Sequence, residues 1–199
     1  QQWKIKKDLE VVAIDALNPF GNFRLLPCGT LREPLFSLRR ADVFVLTKVN
    51  LQPDTRKIQA VLKKVNPSAL IVESAHQPVG FSPLGRQGGL LPLDSFKDKA
   101  CGLLCGIGNP DSFFALIDSL GVKASSFFSF PDHHYYTLDE IKQAMLAAKE
   151  KGAEAIITTQ KDAVRLEGLL ADSFLLPVFV LRIALQITSN ENLFHQRLL

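Results

Sequence analysis

Asp42–Glu73, DVFVLTKVNLQPDTRKIQAVLKKVNPSALIVE, decides the fold class. Asp42 to Lys48 and Ala69 to Glu73 are apolar, β-branched runs of strand length. Between them, from Pro53 or Asp54 to about Val65, the apolar residues Ile58, Val61, Leu62 and Val65 recur at helical spacing. Strand, helix and strand with nearly continuous apolar strands predict a parallel sheet covered on both faces, hence an α/β protein.

The same alternation extends both ways. Upstream, Leu9 to Ala16 reads as a buried strand and Leu35 to Arg40 as a short helix. Downstream come a strand at Ala100–Ile107, a helix at Asp111–Leu120 and a strand at Val122–Phe130. A helix follows at Thr137–Lys151, with Thr137 and Glu140 spaced as a capping box. A strand at Ala153–Thr159, a short helix from Lys161 to about Leu170, a strand at Pro177–Ile187 and a helix at Asn190–Leu199 complete the chain. Gln77 to Asp98 breaks the rhythm with Pro and Gly, and predicts a hairpin-like connector. The expected organisation is therefore a first lobe over 1–76, a linker over 77–98 and a smaller α/β lobe over 99–199.

The chain has 199 residues, 47% hydrophobic and 22% charged, enough to bury a substantial core. A net charge of +3 is too small and too dispersed to indicate nucleic acid as a partner. Cys28, Cys101 and Cys105 are odd in number and form no CxxC pair, so a reducing compartment is expected. No stretch has the length of a membrane span or the apolar core of a signal peptide. The chain starts at Gln1 without a Met and runs directly into a strand, as expected for a piece of a longer protein.

Chemistry concentrates in four segments. Asn18 to Leu35 joins a strand to a helix and mixes Gly and Pro with Phe20, Leu25, Leu26 and Leu31. Such long ordered connections in α/β proteins are often functional. Within it, Asn22, Arg24, Arg32 and Glu33 are candidates for binding a polar ligand; an Arg fork suits phosphate or carboxylate. Arg32 pairing with Glu33, or capping of the next helix, fits the same residues. Phe130-Pro131-Asp132-His133-His134-Tyr135-Tyr136 lies between a strand and a capped helix, and its imidazoles could exchange protons near neutral pH. Gly106-Ile107-Gly108-Asn109-Pro110 and Thr158-Thr159-Gln160-Lys161-Asp162 are strand-to-helix turns. Either could meet an anion, and either could serve only as a tight turn.

In combination these segments resemble one family, the tetraacyldisaccharide 4′-kinases of lipid A biosynthesis. The matching pieces are Lys7-Asp8-Leu9, Asn18-Pro19-Phe20-Gly21-Asn22, Arg24-Leu25-Leu26-Pro27 and Leu31-Arg32-Glu33-Pro34-Leu35. They continue with Cys105-Gly106-Ile107-Gly108-Asn109-Pro110 before Phe113-Phe114, then Phe130 to His134, then Thr158-Thr159-Gln160-Lys161-Asp162-Ala163-Val164. Their order and spacing cover essentially the whole chain, and the combination is far more specific than any one motif.

The resemblance implies the remainder of a P-loop NTPase-like lobe with a parallel sheet, a two-stranded linker and a smaller C-terminal α/β lobe, with the active site between lobes. It implies transfer of the ATP γ-phosphate to the 4′-hydroxyl of an acylated glucosamine disaccharide 1-phosphate, with Mg²⁺ neutralising charge. The place implied is the cytoplasmic face of the inner membrane, peripherally bound. It gives His133 the role of orienting and tuning a catalytic carboxylate, leaves His134 a bystander, and puts Asn22, Arg24, Arg32 and Glu33 beside the substrate. The P-loop, the catalytic Asp and most metal ligands are expected upstream, so this segment alone is expected to be inactive. Gln2 replaces a family His, and Phe23, Cys28, Thr30 and Gln160 replace Gly, Ala, Pro and Glu. Two other readings are compatible with parts of the sequence. One is a metal-dependent phosphoesterase of the Asp-His-His type, the other a noncatalytic α/β binding module.

Overall fold

The apolar runs become strands, and the periodic segments between them become the helices that cover those strands. A computed structural model describes residues 6–52, 54–85, 89–169 and 175–199. Gln1 and Gln2, the helix start at Pro53 and the helix end at Leu170 lie outside the described residues. The chain divides into two compact units. Unit 1 comprises the residues up to Gln77 together with Leu185–Leu199, and unit 2 comprises Pro78–Ala184.

Unit 1 is built on β1 (Val11–Asp15), β2 (Val43–Thr47) and β3 (Leu70–Pro83), which pair in parallel. Val11 stands opposite Val43, and Val43 opposite Leu70. β2 is buried on both faces. Phe44 and Leu46 pack with Ile58 and Leu62 of α1 (Arg56–Val65) and with Phe20. Val43 and Val45 pack on the opposite face with Val72, Ile187 and Phe194. Ile187 lies in β7 (Val178–Ser189) and Phe194 in α5 (Glu191–Leu198).

The chain passes from unit 1 to unit 2 within β3 and back within β7. Sequence reasoning ended β3 at Glu73, but the strand runs on to Pro83. Its polar second half is held by partners rather than by its own apolar pattern: Arg182 Nε donates to Ser82 Oγ at 2.7 Å. Just beyond the strand, Leu84 N donates to the Val178 carbonyl at 2.9 Å. Within the expected connector, Phe81 and Leu91 exchange two backbone hydrogen bonds of 3.0 and 2.7 Å. The C-terminal tail, assigned from sequence to the second lobe, groups with unit 1 from Leu185 onward. Besides the packing of Ile187 and Phe194, Asn190 Nδ2 donates to the Ile71 carbonyl at 2.8 Å.

Unit 2 carries a parallel sheet in the order β7-β6-β4-β5, with β4 at Ala100–Cys105, β5 at Lys123–Ser129 and β6 at Ala155–Thr159. α2 (Pro110–Ser119) covers one face, burying Phe113, Leu116 and Ile117 against Cys101, Leu103 and Cys105. α3 (Leu138–Glu150) and α4 (Gln160–Glu167) cover the other. Burial pushes the Cys101 and Cys105 thiols up to about 11, so both act as small hydrophobes. Since β4, β5 and β6 run in one direction, the turns after them share one edge of the sheet, where open α/β sheets place their ligands.

Candidate active site

Three turns meet at the carboxyl edge of the unit 2 sheet: Gly106–Asn109 after β4, Phe130–Tyr136 after β5, and Thr159–Arg165 at the start of and along α4. Each turn is fixed locally before it meets the others. Asn109 caps α2 by accepting from Ser112 N at 3.1 Å, with Pro110 in the first helical turn. Thr159 caps α4 by accepting from Asp162 N at 3.2 Å. Thr137 and Glu140 form the capping box of α3, with Thr137 N donating to Glu140 Oε2 at 2.8 Å.

The centre of this cluster is Asp162, whose side chain is fully buried. Its carboxylate accepts from Tyr136 Oη at 2.9 Å, from Thr159 Oγ1 at 2.7 Å and from Arg165 Nη1 at 3.3 Å. A buried carboxylate requires such a set of donors, because an unmatched one would be strongly destabilising. Burial, then the Asp162 charge, drive the Tyr136 phenol well above its ordinary range, so it acts here as a donor. Arg165 also donates through Nη1 to the Gly106 carbonyl at 3.3 Å, and its Nη2 lies 3.2 Å from His133 Nδ1.

The two adjacent histidines have different surroundings. His134 is clamped, with Nε2 3.2 Å from both Glu140 carboxylate oxygens and its ring stacked on Phe130 at 4.8 Å. His133 has left-handed backbone, φ 64°, and its side chain is 74% exposed. Its Nε2 lies 3.6 Å from Asp132 Oδ2. Lys161 Nζ donates to Asp132 Oδ1 at 2.6 Å, and this bond is the chief reason the Asp132 carboxyl sits below its usual range. The site thus presents one exposed imidazole on a charged, hydrogen-bonded floor.

The other four candidates lie in unit 1. The Asn18–Leu35 segment is an ordered loop anchored by the buried Phe20. Asn22 closes it from within, as Nδ2 donates to the Cys28 carbonyl at 3.1 Å and Oδ1 accepts from Arg24 N at 3.2 Å. Leu31 N donates to the Arg24 carbonyl at 3.1 Å, and the Leu26–Pro27 peptide is cis. Gly29 allows this closure, because a Cβ there would meet the Arg24 carbonyl oxygen at 2.1 Å and Asn22 Oδ1 at 2.2 Å.

Arg32 and Glu33 line a cavity of about 340 Å³ with Glu10, Thr30, Phe20 and Arg40; Asn22 and Arg24 do not. Glu33 pairs with Arg40 at 2.5 Å, and this hydrogen bond lowers its pKa. Asp15 accepts from Leu17 N at 3.0 Å and from Lys48 Nζ at 2.5 Å, which makes it a turn cap with an ion pair. The structure therefore brings Arg32 and Glu33 together at one cavity, keeps Asn22 for the loop's own backbone, and places His133 in unit 2.

Tyr136 and Asp162 lie in segments singled out from sequence, but their convergence with Arg165 was not legible there. Asp162 read as a helix-start residue, and Arg165 had no motif of its own. Their spacing, i and i+3 on one helix, was the available signal. Among the described residues, no three His, Cys, Asp or Glu side chains group so as to hold a metal ion. The phosphoesterase alternative needs such a set, and Asp132 and His134 are engaged by Lys161 and Glu140 instead.

The family profile for tetraacyldisaccharide-1-P 4′-kinase matches residues 1–199. The tetraacyldisaccharide 4′-kinase of Halothermothrix orenii is 35% identical over 175 residues, covering 83% of this chain and 46% of that protein. That of Syntrophobacter fumaroxidans is 38% identical over 170 residues, covering 85% and 44%. Among solved structures, the "apo" form LpxK from Aquifex aeolicus in complex with ATP superposes with a TM-score of 0.65. It is 25% identical, with 99% of this chain and 55% of that one covered. The chain spans about half the length of the curated relatives it matches. With a profile match over its whole length and relatives above one-third identity, the chain belongs to the tetraacyldisaccharide 4′-kinase family.

Proposed function

We propose that this chain forms part of an ATP-dependent lipid kinase that phosphorylates the 4′-hydroxyl of an acylated glucosamine disaccharide 1-phosphate. The relatives bear the name of that activity, and the solved relative is described as a complex with ATP. The observation that carries the reading within this chain is the cluster of three turns that leaves His133 exposed on a built floor. Phosphoryl transfer depends mainly on positioning and on charge stabilisation, so a fixed imidazole beside the nucleophile's base is a useful part.

In this reading His133 orients and tunes the carboxylate that takes the proton of the 4′-hydroxyl. Arg32 and Glu33 contact the polar headgroup from the cavity they line, and Asn22 and Arg24 meet the substrate from the adjoining loop. Mg²⁺ would neutralise the phosphates when bound. Its protein ligands are proposed to lie mainly upstream of residue 1, since Mg²⁺ is usually held by one or two carboxylates together with substrate phosphates and water. Among the described residues no helix is long and apolar enough to cross a membrane. A peripheral position at the cytoplasmic face of the inner membrane, where an acylated substrate would be met, is part of the proposal.

The test is steady-state phosphorylation of the disaccharide in a full-length enzyme that carries this segment. His133→Ala is expected to lower kcat by about 10²-fold or more. His134→Ala is expected to lower stability with kcat largely kept, because its ring serves Phe130 and Glu140. Equal kcat losses for the two variants would overturn the assignment.

A further inference from the structure

Arg165 links a buried anchor to the exposed imidazole. Nη1 of its guanidinium is held by two acceptors from different elements, the Gly106 carbonyl and Asp162 Oδ1, each at 3.3 Å. Its side chain is only 19% exposed, against 74% for His133. The remaining terminal nitrogen, Nη2, is aimed at His133 Nδ1 at 3.2 Å.

A guanidinium has donors only and does not lose its proton in proteins. A ring nitrogen at hydrogen-bond distance from it must therefore present a lone pair. That fixes Nδ1 as the acceptor and puts the ring proton on Nε2, since a proton on Nδ1 would oppose an N–H of a cation. Nε2 then points its N–H outward, near Asp132 Oδ2.

We propose that Arg165 is a positioning residue that holds His133 as the Nε2–H tautomer. In this form the imidazole offers a hydrogen-bond donor to a carboxylate and has no basic nitrogen directed outward. The proposal deepens the role given to His133 above and rests on that reading for its catalytic consequence. It specifies that His133 acts by donating to the base that activates the hydroxyl, rather than by taking the hydroxyl proton through Nε2. It also explains why an exposed ring needs a buried carboxylate behind it. Thr159 and Tyr136 fix Asp162, Asp162 and the Gly106 carbonyl fix Arg165, and Arg165 fixes the ring. Charged neighbours that face the ring are Arg165 and Asp132, with Lys161 bound to Asp132.

The test is a long-range ¹H–¹⁵N correlation spectrum of the imidazole nitrogens in this chain, at a pH where the rings are neutral. The wild-type His133 ring is expected as the Nε2–H form; an Nδ1–H form would overturn the proposal without any variant. Arg165→Met is expected to convert His133 to a mixture of tautomers while leaving the His134 ring, clamped by Glu140, unchanged. An unchanged His133 spectrum would overturn the proposal. Should Arg165→Met not fold, Arg165→Lys keeps the charge but cannot span both anchors and the ring, and the same mixture is expected.

In a full-length enzyme, Arg165→Lys is expected to lower kcat at least about fivefold with KM little changed. A tautomer shift with full activity retained in both His133→Ala and Arg165→Lys would refute the catalytic role of His133 and leave the tautomer assignment standing. A large loss for His133→Ala with no spectral or kcat change for Arg165→Lys would refute the present inference alone.

Discussion

Gly106 leaves open the space in which the Tyr136 hydroxyl reaches Asp162. A Cβ built at position 106 would lie 2.7 Å from Tyr136 Oη, 3.3 Å from Asp162 Oδ1 and 3.3 Å from the Pro131 carbonyl oxygen. Glycine here is required by the side chains packed over it. Gly106→Ala is expected to destabilise the protein by about 1–3 kcal/mol, the usual range for overpacking. The effect should be larger than for Gly168→Ala, where an added Cβ meets nothing within 4 Å. Urea unfolding of both variants checks this, and equal midpoints would mean that Tyr136 moves aside at no cost.

The same glycine shows what was legible in the sequence and what was not. Gly106 to Pro110 read correctly as a strand-to-helix turn, because the apolar run before it and its closing Asn109-Pro110 are local signals. Parallel strands then imply that this turn, the Phe130–Tyr136 segment and the Thr158–Asp162 segment share an edge. What no local pattern encodes is which side chain stands over which backbone atom. Tyr136 contacting Asp162 joins residues 26 positions apart, and Arg165 contacting Gly106 joins residues 59 apart. The extent of β3 was illegible for a related reason. Ser74 to Pro83 has little apolar periodicity, and it is a strand because β7 supplies neighbours such as Arg182. Likewise, nothing in the sequence reveals that the Cys28 carbonyl and Arg24 N meet the Asn22 amide.

Phe23, which the sequence resemblance reads as a replacement for Gly, has a left-handed backbone, φ 60°. That conformation costs a residue with a Cβ roughly 1–2 kcal/mol, whereas glycine adopts it readily. The Phe23 ring is 62% exposed and lies 5.6 Å from that of Phe20. Phe23→Gly and Phe23→Ala both remove this ring, so their difference isolates the backbone. Glycine also loses about 0.5–1 kcal/mol more chain entropy on folding. Phe23→Gly is therefore expected to be the more stable variant by about 0.5–1 kcal/mol, which for a chain of this size corresponds to roughly 1–4 °C in Tm. Calorimetry that ranked Phe23→Ala higher would show that backbone strain at 23 is not the governing factor.

The start of α3 should be acid-sensitive. The Glu140 carboxylate accepts from Thr137 N at 2.8 Å and lies 3.2 Å from His134 Nε2. Its pKa is lowered from the ordinary 4.5, first by the Thr137 backbone hydrogen bond and then by His134. A carboxyl group with a folded-state pKa below its unfolded value binds fewer protons folded than unfolded. Its contribution is complete above the unfolded pKa and disappears as pH falls through the folded one. Glu140→Ala should therefore lower Tm at pH 7, and the gap to wild type should narrow as pH drops below 4.5. Glu140→Gln keeps the capping geometry without the charge and should fall between them at pH 7. Thermal melts of the three proteins from pH 7 to pH 3 decide the matter. A gap that stays constant to pH 3 would mean that Glu140 supports α3 by packing, with its ionised form playing no part.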